Sequence, residues 1–321
     1  MQYSDTKTLM SPSWPIVFMG TPEVAAASLQ HLLNGPDPVV GVVTQPDRPA
    51  GRGQKRVSSP VRRVAEGYHI PVLTPEKIRD PAFFASLKSW APQLIVVVAY
   101  GRILPRSVLD LPPQGCLNVH YSLLPKYRGA APVAWAILNG EGKSGVTTMR
   151  LVEKMDAGPT LLQEETSLVP NETTASLEAK LIPIGARLLL ETIRRLKEGS
   201  VTPKPQREEK ATYAPILKKE DGQIDWSQPA KAIESRVRAF YPWPSAYTYL
   251  QGKLLKIYRA AVITAEEKGL PGEVVRADRG GLWITTGQGI LGLEEVQLEN
   301  RKRLAAAEFL KGTRIGKGER L

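Results

Sequence analysis

Only one cysteine, Cys116, stands among 321 residues. That excludes an intramolecular disulfide framework and a cysteine metal cluster, and it fits a reducing compartment. Histidine is almost as scarce: His31, His69 and His120 are too few for a histidine-rich metal centre, so no metal is expected. The longest uninterrupted apolar stretch runs from Leu94 to Tyr100, far short of the ~20 residues of a membrane span. No membrane partner is therefore expected. The first residues lack the charged start and long apolar run of a secretory signal, and Asp5 argues against a transit peptide. These absences together point to a cytoplasmic protein. Gly51-Arg-Gly53 lacks the third glycine of a dinucleotide fingerprint and does not join a strand to a helix. That missing fingerprint disfavours a hydride-transfer enzyme, and neither a Walker A loop nor a His-Glu-x-x-His is present.

What is present reads as two globular domains. Hydrophobic residues make up 42% and charged residues 23%, and single cores usually stop growing near ~250–300 residues. Short Val/Ile-rich runs at 15–20, 39–44, 70–73, 94–99, 115–121 and 145–152 alternate with helical segments. Near-continuous apolar strands between helices indicate an α/β domain with a mostly parallel, Rossmann-like sheet covered on both faces. An amphipathic helix over 174–197 closes this domain, taken as 14–198. Residues 199–217 turn polar and proline-rich and read as an extended linker. Beyond it, in 218–321, a helix at 230–240 precedes five short strands separated by turns such as Gln251-Gly252. This predicts a small OB-like β-barrel.

Chemistry concentrates in 118–129, Asn-Val-His-Tyr-Ser-Leu-Leu-Pro-Lys-Tyr-Arg-Gly. Residues two apart in a strand point to one face, so Asn118 and His120 project side by side just before a turn. Open parallel sheets bind ligands at that end. If the fifth and sixth strands are neighbours, Asp156, in the loop after the sixth, approaches His120 at the same carboxyl end. Asn118, as an amide donor, and protonated His120 then hold an oxyanion, while Asp156 favours the charged imidazole and takes up the amine proton, directly or through water. This set suits attack of an amine on an acyl carbon, which needs an oxyanion partner and proton transfer at both nitrogens. Spacing alone leaves a buried polar cluster as an equal reading. His31 and His69 read as structural.

Asn118-Val-His120, Ser122-Leu-Leu-Pro125 with Arg128-Gly129, and Asp156-Ala-Gly158 together resemble the formyltransferase family that uses 10-formyltetrahydrofolate. The resemblance runs nearly end to end, through Phe18-Met-Gly-Thr-Pro-Glu23, Val97-Val-Ala-Tyr-Gly-Arg-Ile-Leu-Pro105, Ile224-Asp-Trp226 and Tyr241-Pro-Trp-Pro-Ser245. It implies that Asn118, His120 and Asp156 are catalytic. It further implies that Ser122, Leu123, Leu124 and Pro125 line a folate site, with 10-formyltetrahydrofolate as formyl donor. Residues 1–13 precede the family's usual start and read as an N-terminal extension. Arg150, at a position that varies in the family, is expected to bear on the pocket's potential.

Charge supplies the last element. The 43 Lys and Arg outnumber the 32 Asp and Glu, for a net charge of +11, and a basic balance suits a polyanion. Arg48, Arg52, Lys55, Arg56, Arg62 and Arg63 crowd into one Gly- and Pro-broken loop without an acid. The bland reading is a solvated loop, but such a cluster matches what phosphate contacts require. The resemblance implies that Arg48, Arg52, Lys55 and Arg56 grip the acceptor arm of initiator Met-tRNA, and that the C-terminal barrel helps hold it. Arg194, Arg195, Lys197, Lys204 and Arg301-Lys-Arg303 are expected to extend the track. A monomer is expected. Two alternatives remain: the same site acting on an amino sugar or on water, and an RNA-binding protein that has lost catalysis.

Overall fold

The computed structural model describes residues 13–50, 55–265 and 267–321. The chain divides into two compact units. The first comprises the chain up to Arg128 with 145–166 and 180–213, and the second comprises 129–144, 167–179 and 214–321.

The first unit is built on a seven-stranded sheet. Its order is Thr160–Ser167, Lys143–Arg150, Cys116–His120, Leu94–Val98, Ile16–Gly20, Val39–Val43, Val72–Leu73. The last five are parallel to one another, as their near-continuous Val/Ile runs require. Every residue of Ile16–Gly20 and Leu94–Val98 is buried. Val17, Met19, Val43, Ile95 and Val97 pack with Phe83 and Leu87 in one apolar cluster, each buried side chain contributing roughly 1.5–3 kcal/mol. Helix starts are written in the sequence: Ser59 Oγ accepts from Arg62 N at 3.0 Å, with Pro60 at the first helical position, and Asp80 Oδ1 accepts from Ala82 N at 3.0 Å ahead of Pro81–Ser89. Strand order reverses between Ile16–Gly20 and Leu94–Val98. Cys116–His120 is therefore adjacent to a topological switch point, beside the crevice where such sheets bind ligands.

The sixth strand departs from expectation in one respect. Lys143–Arg150 lies beside Cys116–His120, but it runs antiparallel to it, with Thr147 opposite His120 and Arg150 opposite Leu117. The helix Thr174–Lys197 spans the expected residues and carries Pro183 in its interior. At its end Lys197 pairs with Asp37 and lies over the Trp14 ring, 5.6 Å from its centroid.

The second unit holds a six-stranded antiparallel sheet. Its path is Ala246–Leu250, Lys253–Ile263, Ile290–Leu298, Gly281–Thr285, Val274–Asp278, with Leu304–Ala305 also on Ile290–Leu298. The first two strands join through Gln251 and Gly252, whose φ values of 49° and 75° are both positive, as a two-residue hairpin turn requires. Ile233 and Val237 of the helix Ala230–Ala239 pack on Leu255, Ile257, Leu282, Ile284 and Val296. Phe309 of a final helix, Ala306–Gly312, joins the same core. This strand set fits the small barrel expected from the turn spacing. Among the described residues no helix is long and apolar enough to cross a membrane.

Candidate active site

Asn118 and His120 share one face of Cys116–His120, as strand alternation demands. The Asn118 amide is fixed by donation from Nδ2 to the Val97 carbonyl at 3.0 Å, which leaves one amide proton over. Its Oδ1 is buried with no hydrogen-bond partner among the described residues, and a buried acceptor of that kind carries a desolvation cost until a donor meets it.

His120 is 7% exposed, and its Nε2 lies 2.8 Å from the Tyr127 carbonyl. A carbonyl can only accept, so Nε2 carries the proton and Nδ1 is the ring nitrogen left for chemistry. Nδ1 is 3.8 Å from Asp156 Oδ2, within ion-pair reach and longer than a hydrogen bond.

Asp156 reaches that position by a different route from the one expected. Because the sixth strand is antiparallel, its carboxyl end lies opposite Leu117, toward the start of the His120 strand. The chain after Arg150 must fold back over the sheet. It does so with Asp156 at φ 49° and with Arg150 N bonded to the Pro159 carbonyl at 3.0 Å. A Cβ on Gly158 would stand 1.7 Å from the Arg150 carbonyl oxygen, so only glycine fits this close approach. The glycine of Asp156-Ala-Gly158 is thus a backbone requirement.

The turn after His120 is internally closed. Ser122 Oγ donates to the Lys126 carbonyl at 2.6 Å. Thr147 Oγ1 donates to the Ser122 carbonyl at 2.6 Å, and it accepts from Leu124 N at 3.1 Å and from Gln163 Nε2 at 2.9 Å. Ser122 and Leu124 are buried and Leu123 and Pro125 half-buried. Of the four residues expected to line folate, two hold the turn and two keep some exposure.

The basic segment forms a hairpin of Arg48–Ala50 with Lys55–Val57, pairing Arg48 with Val57 and Ala50 with Lys55. Arg52 lies outside the described residues, as do the side chains of Arg48, Lys55 and Arg56 and nearly all of 1–13. Arg62 and Arg63 fall outside the expected loop, on the helix Pro60–Gly67, and are engaged with acids from outside the cluster: Arg62 with Asp47 at 2.9 Å and Glu66 at 2.7 Å, Arg63 with Glu23 at 3.1 Å. The further track also changes. Lys197 is withdrawn from it, since its side chain is only 7% exposed and is paired with Asp37. Arg194 and Arg195 pair with Glu191.

Arg150 faces the start of the His120 strand, opposite Leu117, where burial pushes its guanidinium below the usual range. Burial likewise pushes the neighbouring Cys116 thiol up to about 12, which makes it an inert core residue.

Sequence reasoning assigned no role to Thr147, Tyr127, Arg128 or Gln206. Arg128 is 1% exposed and donates from Nε to Gln206 Oε1 at 3.1 Å and from Nη1 to Glu208 Oε2 at 2.9 Å. The available signal was a cation flanked by Tyr127 and Gly129 at the end of the turn, which must find acceptors if it is buried. Gln206 gave none, lying in a polar, proline-broken run.

A family model described as formyl transferase matches residues 15–193, and one described as formyl transferase, C-terminal domain, matches 216–314. A methionyl-tRNA formyltransferase of Desulfotalea psychrophila is 50% identical over 301 residues, 94% of this chain and 93% of that one. The enzyme of the same name from Geobacter metallireducens is 48% identical over 306 residues, 95% of this chain and 98% of its own. Among solved structures, HypX from Aquifex aeolicus in complex with tetrahydrofolic acid superposes with a TM-score of 0.61 at 22% identity, covering 93% of this chain and 47% of that one. An N-formyltransferase from Helicobacter canadensis, in complex with folinic acid and dTDP-3-aminofucose, gives 0.62 at 20% identity, covering 87% and 99%. At those identities the likeness is one of fold.

Proposed function

The chain belongs to the formyl transferase family, and from that premise we propose that Asn118, His120 and Asp156 are the residues with which it moves a formyl group. The donor is 10-formyltetrahydrofolate, and the acceptor is the α-amino group of methionine on initiator tRNA. The reaction prepares that tRNA for translation initiation. The observation that carries the assignment of residues is the approach of Asp156 Oδ2 to His120 Nδ1 at 3.8 Å while Nε2 is committed to Tyr127.

The amine nitrogen attacks the formyl carbon, the carbonyl oxygen takes up negative charge, and the bond from that carbon to the folate nitrogen breaks as the nitrogen gains a proton. The spare amide proton of Asn118 meets the oxyanion, because Nδ2 is already fixed by Val97. The unpaired Oδ1 suits an N–H of the incoming amine. His120 offers a proton from Nδ1 alone, and the nearby Asp156 carboxylate stabilises the charged ring and receives the amine proton, directly or through water. No serine or cysteine nucleophile is needed, in keeping with the inert Cys116.

Leu123 and Pro125 suit an apolar wall for the folate ring, and the basic stretch of sequence with Arg48, Arg52, Lys55 and Arg56 suits the phosphates of the acceptor arm. The net charge of +11 fits a tRNA substrate better than an amino sugar. The reading carries with it a cytoplasmic monomer.

The deciding experiment offers 10-formyltetrahydrofolate with charged initiator tRNA, with an amino sugar, or with buffer alone. Formyl-methionyl-tRNA as the dominant product is expected. Faster formylation of the sugar, or free formate without an acceptor, would replace this reading with another transferase or a hydrolase.

A further inference from the structure

The stretch 204–212, which looks like a linker in the sequence, is bonded to both halves of the candidate site. It starts with a backbone bridge in which Lys204 N donates to the Thr160 carbonyl at 2.8 Å and Thr160 N returns a bond at 2.9 Å. Gln206 Nε2 then donates to the carbonyls of Asp156 at 2.8 Å and Gly158 at 2.7 Å, on either side of Ala157. Gln206 Oε1 accepts from buried Arg128, and Glu208 accepts from Arg128 and from Lys154 in the Asp156 loop. Finally Thr212 takes the N–H groups on either side of the Tyr127 carbonyl that faces His120: Tyr127 N on its Oγ1 at 2.9 Å and Arg128 N on its carbonyl at 2.9 Å.

We propose that residues 204–212 form a positioning strap that sets the separation of His120 from Asp156, with Gln206 as its principal positioning residue. At 3.8 Å the ring and the carboxylate are too far apart to fix one another by a direct hydrogen bond. Asp156 holds a positive φ, a conformation that persists only where its surroundings over-determine it, and a single amide capturing the two flanking carbonyls supplies that constraint. The same strap, through Thr212, fixes the peptide whose carbonyl orients His120. Arg128 links the two ends, since its backbone is held by Thr212 and its guanidinium by Gln206 and Glu208. The amide fits this role because it alone among common side chains offers donors to two carbonyls and an acceptor to a guanidinium at once.

The inference rests on His120 and Asp156 as the working pair, and its test separates the two ideas. Gln206→Ala and Gln206→Glu are compared with wild type for kcat, for both KM values, for melting, and for the ¹⁵N shifts of the His120 ring. Gln206→Glu keeps the acceptor for Arg128 but turns oxygen toward two carbonyls. Both variants are expected to lower kcat by roughly tenfold to a hundredfold, as sub-ångström to ångström misplacement of reacting groups does. KM should stay near wild type in both, melting should stay near wild type in Gln206→Glu, which keeps the Arg128 acceptor, and the His120 shifts should move toward those of Asp156→Asn. Wild-type kcat with an unchanged His120 spectrum would overturn the strap, and so would a loss of activity that merely follows a loss of melting temperature. The spectrum needs no substrate, so it decides the strap even if formyl transfer to Met-tRNA is not the reaction.

Discussion

Asp156 Oδ2 comes within 3.8 Å of His120 Nδ1 although the strands that lead to them run in opposite directions. An antiparallel neighbour carries its chain away from the carboxyl end of the His120 strand, so the loop after Arg150 has to come back over the sheet. The return is possible because Gly158 leaves room for the Arg150 carbonyl and because Asp156 adopts a left-handed backbone conformation. The acid and the imidazole meet through a folded loop. Two parallel strand ends do not bring them together.

From this arrangement, alanine at Asn118 or His120, or asparagine at Asp156, should lower turnover by ~10²–10⁴, the range for losing an oxyanion donor or a proton-transfer group. Melting and circular dichroism should stay close to wild type, because none of these side chains belongs to the apolar cluster of Val17, Ile95 and Val97. Near-normal turnover in all three variants would sink the assignment.

The basic hairpin makes a separate prediction about salt. Arg52→Ala with Lys55→Ala should weaken tRNA binding and reduce the slope of log K against log salt by ~1 for each phosphate no longer neutralised, leaving folate binding intact. Arg62→Ala and Arg63→Ala are the internal contrast, because these cations are already neutralised by Asp47, Glu66 and Glu23. Filter-binding titrations across a salt series read both. A slope unaltered by the hairpin change, or altered equally by the helix change, would show that the hairpin is not the clamp.

Stability at acid pH should follow Glu234 in the second unit. Burial pushes this carboxyl up, but hydrogen bonds from Arg238 and Lys231 outweigh that and hold it below the usual carboxylate range. A depressed folded value means that the stabilisation is fully present above the unfolded value of ~4.3 and is lost as pH falls through the folded one. Glu234→Gln should therefore cost ~2 kcal/mol near neutral pH, the scale of a hydrogen bond to a charged group. The gap to wild type should close in the acid window below the unfolded value. Urea unfolding of both proteins across that range gives the answer, and a gap independent of pH would refute the assignment.

Much of the fold was legible because burial imprints a period on the chain. The runs at 16–20, 39–43 and 94–98 read as parallel strands since both their faces are apolar, and the hairpin at Gln251-Gly252 read as a turn since few residues accept positive φ. Asn118 and His120 were visible as a pair because two residues apart on a strand means the same face. Lys197 misled: as one of several cations near a helix end it resembled a surface contact, and only its burial against Asp37 and Trp14 shows it to be structural.

The sequence by itself therefore determined most of the strands and helices and the turn at Gln251-Gly252, which are set by interactions within a few residues, and it named the candidate residues of the site. Tertiary structure decided the antiparallel course of Lys143–Arg150, the return of Asp156 to His120, the ring nitrogen left for chemistry, and the bonding of Gln206, Arg128 and Thr212 behind them. These depend on pairings between residues far apart in the chain, where short polar segments have no period to betray them. Such segments acquire meaning only when buried donors and acceptors must be matched.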